Sequence, residues 1–533
     1  MPLMLAVALV IGLFIGQEMG GGSGPLAVFK LAEPSASDKI GQVLDLIDRQ
    51  YVDTVEKSAL VDEVLQDILQ RLDPHSYYIS AAELRAAQEP LEGSFDGIGV
   101  EFAIQRDTVV VVSPVEGGPS AAVGVMAGDR IIKADSVQLA GVGITNDGVM
   151  RNLRGPEGSK VKVLLVRRGK RAPFEVTVER GKIPINSVAV ALMQPDGTGY
   201  IKLSRFAKNT HQEFLDAAEG LREQGMQRMV LDLRGNGGGF LNAAVELADE
   251  FLPAGSKMVY TEGRSSPRRD FIATNQGEYE RIPLAILIDE GSASASEIIA
   301  GAVQDNDRGL IVGRRSFGKG LVQEHVDLPD ESAVRITTAR YYTPSGRSIQ
   351  KPYGEGIDYD AEYAARFDHG ELLSADSIHL DSSKTYRTLA GRVVYGGGGI
   401  MPDIFVPTDT TEGSQYLSDL FFSGTLNQFA FDVADRDRAR FRSYGSYKEF
   451  ADRFVVGNSL LSELEAVARK QGIQVRDTDV ERSNNQLTAR LKAGIARNLW
   501  GDAGFYTIIL RTDPIFQRAD RELAARNGVI SSR

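Results

Sequence analysis

Two short segments hold residue types that can carry covalent chemistry. The first, Leu287-Ile288-Asp289-Glu290-Gly291-Ser292-Ala293-Ser294-Ala295-Ser296-Glu297, runs from an apolar stretch through small residues into helical spacing. Small neighbours leave the Ser294 hydroxyl accessible. A serine at a helix start has free backbone donors and the positive end of the helix dipole beside it, the field that a developing oxyanion needs. Ser294 with Glu297 three positions on also spells a capping box, and the two readings are compatible. The second segment, Gly313-Arg314-Arg315-Ser316-Phe317-Gly318-Lys319-Gly320-Leu321-Val322-Gln323, sets a lysine between glycines beside an aromatic ring. Lysine acts as a base only when neutral. Lowering its pKa by about three units toward neutrality corresponds to roughly 4 kcal/mol, which a dry apolar wall must impose. Ile311, Val312, Phe317, Leu321 and Val322 are residues of that type. A solvated lysine on a hairpin turn is the reading of this segment without chemistry.

Other chemistries fit less well. Gly313 to Lys319 spells GxxxxGK, but Gly320 follows where a phosphate loop needs Ser or Thr, and the next residues read as a strand. Gly235-Asn236-Gly237-Gly238-Gly239 follows a strand, yet Phe240 stands where a dinucleotide fingerprint wants its third glycine. The absence of cysteine rules out a thiolate nucleophile, a disulfide framework and Cys-ligated metal, and no two of the five histidines are spaced as a helical zinc pair. No metal or cofactor is therefore expected. A net charge of -12 argues against nucleic acid as a partner.

The chain must build a scaffold that brings these segments together. With 533 residues it exceeds a single core, and 42% hydrophobic with 25% charged residues is ordinary globular composition. Residues 1–24 hold an apolar run followed by a glycine-rich stretch, read as a membrane anchor or export segment, with an uncleaved anchor favoured. Residues 25–92 show helical spacing, for example Ile40, Val43, Leu44 and Ile47, which suits packing onto the body and homodimerisation equally. Residues 93–181 switch to period two, indicating a β-rich module. Residues 182–407 alternate strands (229–233, 284–288) with helices (241–251, 296–303), the α/β signature. Residues 408–533 are helical and charged, with no assignable role.

Within the β-rich module, Gly97-Ile98-Gly99-Val100-Glu101-Phe102 resembles the carboxylate-binding loop of PDZ domains, and residues 119–134, ending in GDRIIKA, resemble their helix and following strand. Successive N–H groups in a glycine-permitted turn hold a terminal carboxylate, and a neighbouring strand edge accepts an extended peptide. Together, LDPHSYY (residues 72–78), LDLRGNGGG (231–239), SASASEI (292–298), QDNDRG (304–309), FGKGLVQ (317–323), TTARYYTPSGRSIQ (337–350) and YGGGGIMPD (395–403) resemble the C-terminal processing peptidases, or tail-specific proteases. The resemblance covers residues 37–407. It implies a multidomain α/β architecture with a crotonase/ClpP-like protease core, and a serine endopeptidase of the bacterial cell envelope, facing the periplasm. It further implies Ser294 as nucleophile, Lys319 as general base, Gln323 as the group orienting the amine, and an oxyanion hole from the backbone N–H groups of Gly239 and Ala295. Gly97, Ile98, Gly99 and Val100 would bind substrate tails, and Arg154 would couple this module to the protease. The expected partners are proteins with exposed C-termini, further copies of the chain in a homodimer or higher oligomer, and an adaptor protein, with the membrane met through the N-terminal segment only. An inactive PDZ scaffold retaining the fold is the competing reading. The region after residue 408 departs from shorter family members.

Overall fold

The computed structural model describes residues 36–359 and 361–530; the expected anchor, residues 1–24, lies outside them. The chain forms two units, Met1–Ile68 and Leu69–Arg533. In the first, helix Ala36–Gln50 leaves Ile40, Val43 and Leu46 exposed, so its apolar stripe is uncovered among the described residues.

In the second unit, helix α1 (Ala81–Glu92) leads into the expected β-rich module. Its strands β1 (Val100–Ile104), β2 (Val109–Pro114), β3 (Arg130–Ala134), β4 (Lys160–Val166) and β5 (Phe174–Glu179) form an antiparallel sheet in that order. Helix α2 (Asn146–Leu153) starts at Thr145, whose hydroxyl accepts from the Gly148 amide. It buries Val149 and Leu153 against Ile98, Val111 and Val163. Among the described residues β1 pairs with β2 alone, which leaves its other edge open to receive a strand.

The central sheet runs β6 (Val188–Met193), β7 (Thr198–Leu203), β8 (Arg228–Asp232), β9 (Leu284–Ile288), β10 (Leu310–Gly313) and β13 (Ile404–Phe405), parallel from β7 onward. Every residue of β8, β9 and β10 is buried, which is why β9, β10 and the middle of β8 read as apolar runs, with the buried charges Arg228 and Asp232 at the two ends of β8. Alternate side chains choose opposite faces. Leu231, Ile286, Ile288 and Ile311 meet helices α3 (Thr210–Glu223), α4 (Leu241–Asp249) and α5 (Ala295–Asp305). Tyr200, Val230, Leu287 and Val312 face the other way. A second sheet centres on β12 (Ala333–Tyr342), which hairpins with β11 (Leu321–Asp327) and pairs with Tyr77–Ile79 from the LDPHSYY segment. The region expected to be only helical before residue 92 thus lends a strand to the core.

The C-terminal helices build their own core around Phe429, Phe450, Leu464 and Leu491, and then return to the central sheet. Helix α6 (Thr425–Arg436) meets the β-rich module: Asp432 pairs with Arg106 at 2.6 Å and Asp435 with Arg130 at 3.3 Å. The last helix, α7 (Pro514–Ile530), lays Ile515, Phe516, Ala519 and Leu523 on Tyr200, Val230, Leu287 and Val312. Removing each such large side chain from water contributes about 1.5–3 kcal/mol, so α7 is a structural layer of the core.

Candidate active site

Three loops leave the carboxyl ends of adjacent parallel strands, where open α/β sheets place their ligands. They are residues 233–240 after β8, 289–294 after β9 and 314–320 after β10. Hydrogen bonds tie them to one another. The Asp289 carboxylate accepts from the amides of Gly235 (2.8 Å) and Gly291 (3.0 Å), the Ser292 hydroxyl donates to Leu233 O (2.9 Å), and Phe317 N donates to Ser292 O (2.9 Å). The Asn236 carbonyl accepts from Ala293 N (3.0 Å) and Ser296 Oγ (2.8 Å).

Ser294 ends the second loop with φ 57° and ψ -114°, immediately before α5. A non-glycine residue there costs on the order of 1–3 kcal/mol, sustained only when neighbours over-determine it. One neighbour is Gly238: a Cβ on it would lie 2.7 Å from Ser294 Cβ and 2.9 Å from Ala295 N. Another is Glu297, whose Oε2 accepts from Ser294 N at 2.8 Å, as the capping box requires.

Glu297 does more than cap. It is fully buried, and its Oε2 also accepts from Lys319 N (2.9 Å) while Oε1 accepts from Gly318 N (2.8 Å) and Ser316 Oγ (2.5 Å). One carboxyl therefore spans the backbones of Ser294 and Lys319. Burial pushes its pKa up to about 7, against the pull of these four donors. The Tyr341 hydroxyl of β12 does the complementary job, lying between the carbonyl oxygens of Ser294 (3.1 Å) and Lys319. Burial first, and then Glu297, hold this phenol well above its ordinary pKa, so it stays a donor. Neither brace was visible as such in the sequence, where Glu297 signalled only a helix start and Tyr341 stood within TTARYYTPSGRSIQ with no role of its own.

The Lys319 amine sits where burial, and then the charge of Arg335, push its pKa below the ordinary lysine value; Glu297 and Asp73 oppose. His75 of the LDPHSYY segment is close enough to respond. Burial and Lys319 lower its pKa to about 4, leaving it neutral at pH 7, and its Nε2 lies 3.0 Å from the Tyr359 hydroxyl. Gln323 follows a bulge in β11 between Val322 and Gln323, and its buried Nε2 has no hydrogen-bond partner among the described residues. Bulges re-aim side chains in this way.

Ser294, Ala295, Lys319, Gln323, Gly238 and Gly239 all line one cleft of about 1040 Å³. Among the described residues, neither Gly239 N nor Ala295 N donates to another protein group, whereas Gly238 N is engaged by Asn236 Oδ1 at 2.9 Å. Gly239 has φ 152°, and a Cβ there would fall 2.0 Å from Phe206 O. The loop after β10 is backed by the glycines of YGGGGIMPD: a Cβ on Gly399 would meet Ser316 O at 2.6 Å, and Ser316 Oγ accepts from Ile400 N at 2.6 Å. No group of acidic or histidine side chains suited to a metal ion occurs among the described residues.

Gly97, Ile98, Gly99 and Val100 lie outside the cleft, at the start of β1. Gly99 has φ 71°, and Ile98 O accepts from Ser120 N (3.0 Å) and Oγ (2.6 Å), fixing the loop. Arg154 at the end of α2 stacks 4.2 Å over the Phe95 ring and pairs with Glu89 of α1. The same helix carries Leu91, which lines the cleft and accepts from Lys208 N at 3.1 Å.

Residues 197–363 match the profile of peptidase family S41, residues 97–178 that of the PDZ domain, and residues 416–501 that of a family of unknown function (DUF8443). The chain is 35% identical over 327 residues to the carboxy-terminal-processing protease of Bartonella bacilliformis, covering 60% of this chain and 74% of that one. It is 31% identical over 319 residues to the carboxy-terminal processing protease CtpB of Bacillus subtilis (59% and 66% covered). It is 34% identical over 293 residues to the carboxyl-terminal-processing protease of Synechocystis (54% and 68%). With a PDZ module ahead of an S41 core, the chain belongs to the carboxy-terminal-processing proteases.

Proposed function

We propose that this protease is a serine endopeptidase in which Ser294 is the nucleophile and Lys319 the general base. The observation that carries the reading is the shared cleft: a serine at a strained helix start, a lysine amine held below its ordinary pKa, and two backbone donors that have no protein acceptor among the described residues. The neutral Lys319 amine takes the Ser294 proton as Oγ attacks the substrate carbonyl carbon. The carbonyl oxygen becomes an oxyanion that accepts from Gly239 N and Ala295 N. The ammonium then gives its proton to the leaving nitrogen, the C–N bond breaks, and an ester to Ser294 remains. Water, deprotonated by the same amine, attacks the ester, releases the acid and restores the serine. Gln323 accepts from the amine through Oε1 and keeps it turned toward Oγ.

The PDZ module supports substrate choice through C-terminal tails: the free edge of β1 would add an extended segment while the loop at Gly97–Val100 holds its carboxylate. Arg154 would transmit occupancy to α1 through Glu89. The apolar start of the sequence supports a place in the bacterial cell envelope; among the described residues no helix is long and apolar enough to cross a membrane. The test is cleavage of an unstructured protein with an apolar C-terminus. Ser294→Ala and Lys319→Ala each abolish it; wild-type turnover by either variant contradicts the assignment.

A further inference from the structure

The turn that supplies Gly239 begins at Arg234, and the last helix of the chain reaches it. Arg234 Nε and Nη2 donate to Asp232 at 3.0 and 2.6 Å, its amide donates to the same carboxylate at 2.9 Å, and its carbonyl accepts from Lys202 Nζ at 2.9 Å. Its remaining nitrogen, Nη1, is held by Asp513 at 2.7 Å. Asp513 immediately precedes α7, where its carboxylate also accepts from Ile515 N (3.0 Å) and Phe516 N (3.1 Å). Asp232 is fully buried and takes the Tyr200 hydroxyl at 2.6 Å. The cluster thus closes with two carboxylates and two cations, and every oxygen of Asp232 and every charged nitrogen of Arg234 is fixed.

We propose that Asp513 is a positioning residue for catalysis, which holds the turn ending at Gly239 in register by anchoring Arg234 from the C-terminal region. The proposal rests on the Ser294 reading above. Arg234 joins β8, which is buried within the sheet, to residues 235–239, whose last amide, Gly239 N, must face the oxyanion. Without Asp513, Arg234 and Lys202 share the single carboxylate of Asp232. The guanidinium can then rotate about its own backbone, and the displacement passes to the turn. Asp513 lies 279 residues from Arg234 in sequence. The C-terminal region that follows the S41 match is on this account part of the catalytic apparatus.

A purely structural reading makes Asp513 only a clip that keeps α7 on the sheet. Asp520 separates the two readings, because it anchors the same helix at the opposite end of the strands, accepting from Thr198 Oγ1 at 2.6 Å near Arg228. Asparagine retains helix-capping ability, so Asp513→Asn preserves the start of α7 while removing the charge that holds Arg234. In the full-length enzyme, Asp513→Asn is expected to lower kcat about ten-fold with KM within two-fold. That is less than the 100-fold or greater loss that follows removal of an oxyanion donor, because Gly239 is displaced and not deleted. Asp520→Asn is expected to lower the melting temperature but to keep wild-type kcat well below it. Wild-type kcat in Asp513→Asn, or equal loss in both variants, overturns the proposal. If Ser294→Ala also turns over at the wild-type rate, the mechanism itself fails; if Ser294→Ala is dead while Asp513→Asn is unaffected, only the role of Asp513 fails.

Discussion

Replacing Glu297 by glutamine separates activity from stability along the pH axis. The carboxyl accepts four hydrogen bonds, two at each oxygen, and three of the donors are backbone amides that cannot be reversed. An amide side chain keeps one accepting oxygen. Its best placement retains Ser294 N and Lys319 N at that oxygen and turns its NH2 toward Ser316 and Gly318. Ser316 can rotate to accept, but Gly318 N is left facing a donor, a buried loss of about 1–3 kcal/mol. Because Gly318 N, next to Lys319 in the chain, is then left without its acceptor, the loop that carries the base is loosened and kcat should fall ten- to a hundred-fold. The titration works in the opposite direction. The folded-state pKa of Glu297 is raised from 4.5 to about 7, so neutral Glu297 is the form the fold favours. Its contribution is fully present below pH 4.5 and is lost as pH rises through 7, a decline on the order of 3 kcal/mol. The ionised form is nevertheless the one that can accept all four donors. Wild-type kcat should therefore rise around pH 7, where the decline in stability relative to Glu297→Gln that begins near pH 4.5 reaches its end. Parallel pH profiles of kcat and of urea unfolding for the two proteins are the assay. A Glu297→Gln enzyme with wild-type kcat, or a stability difference that does not change between pH 4 and 8, refutes the reasoning.

Gly239→Ala places a methyl group 2.0 Å from Phe206 O, so the turn must shift; kcat should drop 100-fold or more with a modest change in KM, measured by steady-state cleavage. Asp435→Ala removes the shared partner of Arg130 and Arg168, loosening the PDZ module from the C-terminal helices by about 1 kcal/mol. Limited proteolysis should then release residues 97–178 faster than from wild type; an unchanged rate counts against the clamp. Amidating the C-terminal carboxylate of a substrate should raise KM and leave kcat unchanged, because the Gly97–Val100 loop loses a charged ligand while the catalytic cleft is untouched.

Much of this site is legible in sequence because its strands are buried on both faces. Leu284–Ile288 has the limits that its apolar run indicates, and small residues mark the loop that follows it; in the β-rich module Lys160–Val166 alternates exposed and buried residues as its period-two pattern indicates. The helix expected at 296–303 extends to Ala295–Asp305, since its ends are set by Glu297 and by the turn at Asn306. Glu297, Tyr341 and Arg234 each carry a local signal for something simpler. Their roles arise only when distant loops arrive, from Ser316 to Lys319 in one case and from Asp513 in another. Tyr77–Ile79 is too short for periodicity to register, and it becomes a strand by pairing with β12. Asp513 followed by Pro514 is a recognisable helix start, yet nothing local says that the helix covers the second face of the sheet.

Proton transfer from Ser294 requires a Lys319 amine that is neutral in the working enzyme. Nitrogen NMR of lysine-labelled full-length protein, with Lys319 assigned by its absence in Lys319→Ala, measures this directly. A midpoint well below the ordinary lysine value of about 10.4, tracking the alkaline rise of kcat, is expected. An amine that titrates at the ordinary value while the enzyme is fully active at pH 7 would contradict its role as the general base.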